Sequence, residues 1–328
     1  MEEILIKKSL VFAVIILFIS LSITPSSAFD NVKKSSMSVS DGNWLYVGGN
    51  GTGNYTRIQD AIDNATSGDT VFVYDDSSPY IEYVLVNKSI NIVGENKETT
   101  FIEGKSGGST IRLVETASSV TIQGFTITNG FFCLDIKSDN NTIIGNIFSN
   151  NIYNGVSIYE SELNHFINNT ITTNSTGLMI TSGKNNTIVG NKIESNNYCI
   201  SLQACYDNNI SKNDLHNIHI GNSKKNIIES NNLETIYMLA TNKNIIRKNN
   251  FIGNIRHVDC YISFFNKWDS NYWDDWIGLK FNMTLFQKFP KIIVCNIIVP
   301  LISNFTIPYF NFDWHPAQEP YDISMKNV

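Results

Sequence analysis

Asparagine recurs on a regular grid through the middle of the chain. The stretch NNTIVGNKIESNN, residues 185 to 197, carries Asn at 186, 191 and 196, with Ile188 and Ile193 between them. The pattern N-x-(I/F)-x-x-N-x-(I/L/F) starts six times, at intervals of 23, 22, 22, 18 and 18 residues: Asn141, Asn164, Asn186, Asn208, Asn226 and Asn244. A period of about 20 residues is typical of solenoid proteins.

Each unit also holds a second Asn five positions later: Asn146, Asn169, Asn191, Asn213, Asn231 and Asn249. The apolar residues at offsets 2 and 7 are five apart, so one continuous strand would send them to opposite faces. A bend at the second Asn, a residue type that tolerates left-handed backbone, would turn both toward one core. A further apolar pair, such as Leu178 and Ile180, completes three short strands per coil. Coils stacked about 4.8 Å apart would align the Asn amides in hydrogen-bonded ladders.

This pattern predicts an all-β fold, a right-handed parallel β-helix with caps at both ends. In YTRIQDAIDNATSGDTVFVY, Thr56 and Gln59 match a capping box, which predicts a short N-terminal capping helix that ends at Gly68. The expected organisation is a signal peptide (1–28), a linker (29–45), an N-terminal cap with irregular coils (46–119), regular repeats (120–266), and an aromatic C-terminal cap and tail (267–328).

The first 28 residues have the anatomy of a secretory signal. Lys7 and Lys8 precede an apolar run from Leu10 to Ile23, and small residues follow as far as Ala28. The run is short for a membrane span, so we expect membrane contact only through this segment if it stays uncleaved. The predicted location is secreted, cell-surface or periplasm-like.

Composition excludes several classes of protein. With 42% hydrophobic and 16% charged residues in 328, the chain is not disordered, and a net charge of −6 without a basic patch argues against nucleic acid. Five cysteines without C-x-x-C spacing show neither a zinc site nor a disulfide framework. A bridge between Cys199 and Cys205 is an alternative to buried free thiols. Eleven N-x-S/T sequons are compatible with a glycoprotein.

The opening YTRIQDAIDNATSGDTVFVY, the NNTIxGN coils and the closing SNYWDDW resemble the NosD-like β-helix proteins, over roughly residues 46 to 276. These proteins are often secreted or on the cell surface, many of them archaeal, and the tail FDWHPAQEPYDI is similar to that of surface members. The resemblance implies a periplasmic role in copper enzyme maturation for the family's namesake. It also implies a pectin-lyase-like fold, since similar coils occur in the carbohydrate-binding and sugar-hydrolysing modules of the pectin-lyase-like superfamily.

Catalytic residues are harder to find in the sequence. A polysaccharide hydrolase needs converging carboxylates, but the candidate acids fall in different columns of the repeat: Asp135, Glu160, Glu194, Asp207, Asp214 and Asp259. Arg256, His257 and Asp259 come nearest to a catalytic cluster, although surface polar residues are the favoured interpretation. His216, His219 and His257 do not share a column, so no metal site is predicted and copper or calcium stays an alternative.

Trp268, Tyr272, Trp273 and Trp276 form an aromatic group that could stack on sugars or plug the last coil. A binding module needs only an elongated polar face and a few aromatic side chains. The sequence therefore predicts a non-catalytic module that binds an extracellular or cell-surface polysaccharide or serves a structural role, with no cofactor. The alternative is a carbohydrate-active enzyme, such as a lyase, hydrolase or epimerase.

Overall fold

Short parallel strands wind into a β-helix. The computed structural model describes residues 42–105, 107–254, 256–276, 290–298 and 306–323, so the predicted signal peptide lies outside the described residues. The strands are β1 Trp44–Val47, β2 Thr70–Val73, β3 Tyr80–Ile81, β4 Val84–Val86, β5 Asn91–Gly94, β6 Phe101–Glu103, β7 Ile111–Leu113, β8 Thr121–Gln123, β9 Thr126–Thr128, β10 Leu134–Ile136, β11 Thr142–Ile144, β12 Ile147–Ser149, β13 Val156–Tyr159, β14 His165–Ile167, β15 Thr170–Thr173, β16 Leu178–Thr181, β17 Thr187–Val189, β18 Lys192–Ser195, β19 Ile200–Gln203, β20 Asn209–Ser211, β21 Asp214–Leu215, β22 Asn217–Gly221, β23 Ile227–Glu229, β24 Asn232–Leu233, β25 Thr235–Leu239, β26 Ile245–Arg247, β27 Asn250–Phe251, β28 Val258–Tyr261, β29 Lys267–Asp269, β30 Tyr272–Trp273, β31 Lys291–Ile298 and β32 Thr306–Asp313.

The strands form three faces, and the strands within each face run parallel to one another. Face 1 contains β1, β2 and every third strand from β5 to β29, face 2 every third strand from β3 to β30, and face 3 every third strand from β4 to β28. Each coil crosses the faces in this order, which confirms the predicted three strands per coil and the parallel β-helix. Among the described residues, no helix is long and apolar enough to cross a membrane.

The apolar columns fill the interior. Ile188 pairs in register with Phe166 on the preceding coil and Ile210 on the next, and all three side chains are buried. On face 3, Leu178 and Ile180 are buried in the same way. Apolar residues at offsets 2 and 7 therefore do point to one core, as the repeat predicted.

Asn side chains form two buried ladders. The side-chain nitrogen of Asn186 donates to Asn208 Oδ1 at 3.0 Å, and the Asn186 backbone N–H donates to the same oxygen at 2.9 Å. The side-chain nitrogen also reaches the Ser161 carbonyl at 3.1 Å. Every Asn-to-Asn bond of the ladder points toward the C-terminal end, and the second amide hydrogen is donated to a carbonyl on the same or the preceding coil. The buried amides therefore have their partners along the stack.

The ladders run one coil beyond the predicted repeats. Asn266 and Asn271 continue the two columns, and Trp268 and Trp273 occupy the apolar positions of that coil. The second ladder then ends on buried Asp313, whose Oδ2 accepts from the Asn271 backbone N–H and side-chain nitrogen, both at 2.9 Å. A carboxylate thus accepts the last donors of the ladder.

The predicted reason for the bend was wrong in one respect. The left-handed residue is the one before each ladder Asn: Lys212 (φ 56°) precedes Asn213, and Leu163 (φ 60°) precedes Asn164. A non-glycine residue in this conformation costs about 1–2 kcal/mol. The hydrogen bonds of the following Asn offset that strain. The repeat therefore requires Asn for the hydrogen bonds of its side-chain amide, and not for its tolerance of left-handed backbone.

Both caps differ from the sequence prediction. Helix α1, Ile58–Asn64, lacks the capping box, because Glu82 accepts its first N–H groups, from Ile58 at 2.8 Å and Gln59 at 3.1 Å.

At the other end, β31 and β32 pair as an antiparallel hairpin. A Cys260–Cys295 disulfide ties the hairpin to β28, whereas Cys199 and Cys205 are free and buried. The favoured prediction of buried free thiols is therefore confirmed for Cys199 and Cys205, and the alternative of a bridge between them is wrong.

We expect Asn208→Ala to lower the free energy of unfolding by about 3 kcal/mol, because it leaves buried donors of Asn186 without an acceptor. The measurement is denaturant unfolding followed by circular dichroism. Asn174→Ala is the matched control, since Asn174 lies exposed on a loop outside both ladders. Equal effects of the two substitutions would contradict a stabilising ladder.

Ile188→Asp should destabilise the protein by more than about 4 kcal/mol, because it buries an unpaired charge between two apolar side chains. Thr187→Asp, at the adjacent half-exposed position, should change the melting temperature little. Thermal unfolding of the two variants side by side would show whether this column is the core, and similar melting temperatures would contradict it.

Candidate functional site

A cleft lies on face 2 where the connections to face 3 become short. Four residues separate β18 from β19, but only His216 separates β21 from β22, and only Glu234 separates β24 from β25. The cleft over these coils has a volume of about 550 Å³. We call it the face 2 cleft; its polar lining includes Lys192, Glu194, Asp214, His216, Asn232 and Glu234.

Charged side chains line the face 2 cleft in pairs. Lys192 Nζ lies 2.9 Å from Glu194 Oε1, and His216 Nδ1 lies 2.9 Å from Glu234 Oε1. The hydrogen bond and the positive charge of Lys192 lower the pKa of Glu194. Asp214 follows Lys192 in the strand register. Three carboxylates and one lysine make the cleft acidic.

The C-terminal tail forms one wall of the cleft. The side chain of Asn250 pairs with the backbone of Tyr321 as another strand would, donating to its carbonyl at 2.9 Å and accepting its N–H at 2.8 Å. The Tyr321 hydroxyl donates to the Ser270 carbonyl at 2.6 Å. Tyr321 therefore holds a defined position at the end of the cleft.

Sequence reasoning found part of this lining. Glu194 and Asp214 were among the candidate acids, but Glu234 was missed because it lies in a connection, outside the repeat pattern. The shortening of the repeat from 22 to 18 residues was the available signal, since it marks where the loop beside the cleft is lost.

The predicted cluster of Arg256, His257 and Asp259 divides in two. Arg256 pairs with Asp259 at 2.6 Å on the outside of face 3. His257 is 3% exposed, so the prediction that it is a surface residue is wrong. Its ring points instead toward Asp274 and Asp275 just beyond β30.

His257, Asp274 and Asp275 form an ionic group, which we call the cap cluster. His257 Nε2 lies 2.6 Å from Asp274 Oδ1 and 3.7 Å from Asp275 Oδ1. Burial raises the pKa of Asp274, but hydrogen bonds from the Gly253 N–H and from His257 outweigh it, so the net shift is downward. Lys291 contacts both oxygens of Asp275, at 2.6 and 2.7 Å.

The predicted aromatic group does not form an open platform. Trp268 and Trp273 are 3% and 2% exposed, and Trp273 stacks on Phe251 with ring centroids 4.2 Å apart. Burial in the last coil leaves them no free face for a sugar. Tyr272 and Trp276 are half-buried.

Comparisons with known proteins give one family and several remote structural similarities. The family model described as "Periplasmic copper-binding protein (NosD)" matches residues 37–278. No curated protein sequence matches the chain.

Three solved structures illustrate the fold similarity. The Azotobacter vinelandii mannuronan C-5 epimerase AlgE6 A-module is 13% identical, covers 65% of this chain and 87% of its own, and has a TM-score of 0.43. A Paenibacillus alginate lyase is 12% identical, covers 70% of this chain and 95% of its own, and has a TM-score of 0.33. The catalytic domain of a GH87 α-1,3-glucanase is 10% identical, covers 76% of this chain and 60% of its own, and has a TM-score of 0.47.

The donor chemistry of the described residues fits oxidised copper better than reduced copper. Cu(I) prefers thiolate and thioether ligands, but the free Cys133, Cys199 and Cys205 are buried and belong to no group of three close donors in the described ranges. The cap cluster offers an imidazole nitrogen and two carboxylates within 4.8 Å of one another, a set that suits Cu(II) or Zn(II).

The family match spans well over half of the chain and covers the regular coils as well as their first cap. The chain therefore belongs to the NosD family of parallel β-helix proteins.

Proposed function

We propose that this protein is an extracytoplasmic module that binds a polysaccharide in the face 2 cleft without cleaving it. The observation that carries the proposal is the row of polar side chains on successive coils of face 2, beside the short connections at His216 and Glu234. Side chains repeated at about 4.8 Å can meet successive hydroxyl groups of an extended polymer. Tyr321 supplies an aromatic contact at one end.

The charge of the cleft favours one class of ligand. Lys192 neutralises Glu194, but Asp214 and Glu234 keep the surface acidic. A polyuronate would meet repulsion there, whereas a neutral polymer would not and an amino-sugar polymer would be attracted. We therefore expect a neutral or amino-bearing polysaccharide.

We expect binding without cleavage, because a glycosidase requires a general acid beside the scissile bond. A general acid needs a raised pKa to stay protonated near neutral pH. The pKa of Glu194 is shifted the other way by Lys192. The enzyme alternative is therefore tested alongside binding.

Two features support a location outside the cytoplasm. The Cys260–Cys295 bond is of a kind that persists in oxidising compartments, and the family description is periplasmic. Sequon residues Asn87 and Asn174 are exposed and would accept a glycan without disturbing the core.

The test is retention of the purified protein on insoluble chitosan, a neutral β-glucan and alginate gel. We expect retention on chitosan or the β-glucan, and little on alginate. The double change Glu194→Gln with Glu234→Gln should weaken chitosan retention about tenfold by removing charge from the cleft. Asn232→Phe should block both polymers by filling the cleft.

Glu162→Gln is the control, because it removes a negative charge at a half-exposed position outside the cleft, where Glu162 lies 3.7 Å from Lys184. Retention on none of the three polymers, or retention that the cleft variants leave unchanged, would refute the proposal. Release of reducing ends or unsaturated uronates would favour the enzyme alternative.

A further inference from the structure

We infer that the cap cluster is a binding site for one divalent transition-metal ion, Cu²⁺ or Zn²⁺, in which Lys291 competes with the metal. His257 precedes β28, and Asp274 and Asp275 follow β30, so the last coil brings the three side chains together. This inference is independent of polysaccharide binding, since it concerns other residues.

The orientation of His257 is the first argument. Its Nδ1 lies 2.8 Å from the Glu234 carbonyl, and this nitrogen must carry a proton because a carbonyl can only accept. Nε2 then faces the two carboxylates. Metal-bound histidines are held in the same way, by an N–H that donates to a carbonyl behind the ring.

The second argument is charge. Two carboxylates converge on the same imidazole nitrogen, since Asp274 Oδ1 lies 2.6 Å and Asp275 Oδ1 3.7 Å from His257 Nε2. Lys291 brings one ammonium group to these two carboxylates, on the side of Asp275. A divalent ion held by the three side chains would supply two positive charges from one position.

Lys291 can give way to that ion. Its ammonium stands on a flexible four-carbon stem, is partly exposed, and lies 5.6 Å from the centroid of the Trp273 ring. Moving it into solvent frees both oxygens of Asp275 without disturbing the backbone. The lysine therefore lowers metal affinity but does not abolish it.

The donors select the class of ion. Ca²⁺ takes six to eight oxygen ligands, and an imidazole is a poor substitute for them. One imidazole with two carboxylates suits borderline ions, among which Cu²⁺ binds more tightly than Zn²⁺. Solvent reaches the site, since the two aspartates are about one-third exposed.

The test is isothermal titration of the untagged full-length protein with Cu²⁺ or Zn²⁺ alone, with Ca²⁺ for comparison. We expect one Cu²⁺ per chain, and an electron paramagnetic resonance spectrum with coupling to a single imidazole nitrogen. His257→Gln and Asp274→Asn should each weaken binding at least tenfold. Lys291→Gln should strengthen it about tenfold, by removing the competing cation.

His315→Gln is the matched control, because His315 also pairs with an aspartate, Asp269, at 2.9 Å, but is exposed and outside the cap cluster. Lys291→Gln keeps the test decisive if His257→Gln fails to fold, which circular dichroism would reveal. Weak binding that neither His257→Gln nor Lys291→Gln alters would overturn the inference, as would no binding to wild type and Lys291→Gln alike.

Discussion

The amide ladder is the interaction on which the rest of the molecule depends. Each coil includes left-handed residues, and many of them are lysine, serine or leucine, which disfavour that conformation. The strain is tolerated because the next residue is a buried Asn that bonds to the coil after it. These bonds also fix the register, so the apolar columns stack without slipping.

The ladder has a direction, and the ends of the molecule reflect it. Each ladder Asn directs its backbone N–H to the Asn of the next coil, so the last Asn presents donors at the C-terminal end, as the first turn of an α-helix presents its own. Buried Asp313 lies where such a stack favours a negative charge, and it also accepts from Trp273 Nε1 at 3.1 Å. Acidic Glu82 has a comparable role at the start of α1.

Features that repeat could be predicted from the sequence, and features that occur once could not. The Asn columns, Ile188 and its neighbours, and the three strands per coil follow from periodicity. Asp313 with Asn271, Glu82 with Ile58, and the Cys260–Cys295 bond join residues far apart in sequence, with no second copy to reveal them. The cap cluster is of the same kind: His257 was noticed, but its partners depend on how the last coil closes. Even Trp268 and Trp273 fit the repeat as the two apolar positions of one further coil, which their aromatic character concealed.

The unidirectional ladder has an evolutionary consequence. A coil begins and ends with the same bonding pattern, so the stretch from Asn208 to Lys225 presents to its neighbours what the stretch from Asn226 to Lys243 presents to its own. Duplication or loss of such a gene segment would rejoin matching ends and leave both caps unaltered. A change of length in whole coils would therefore preserve both ladders, and it would lengthen or shorten the surface in steps of about 4.8 Å.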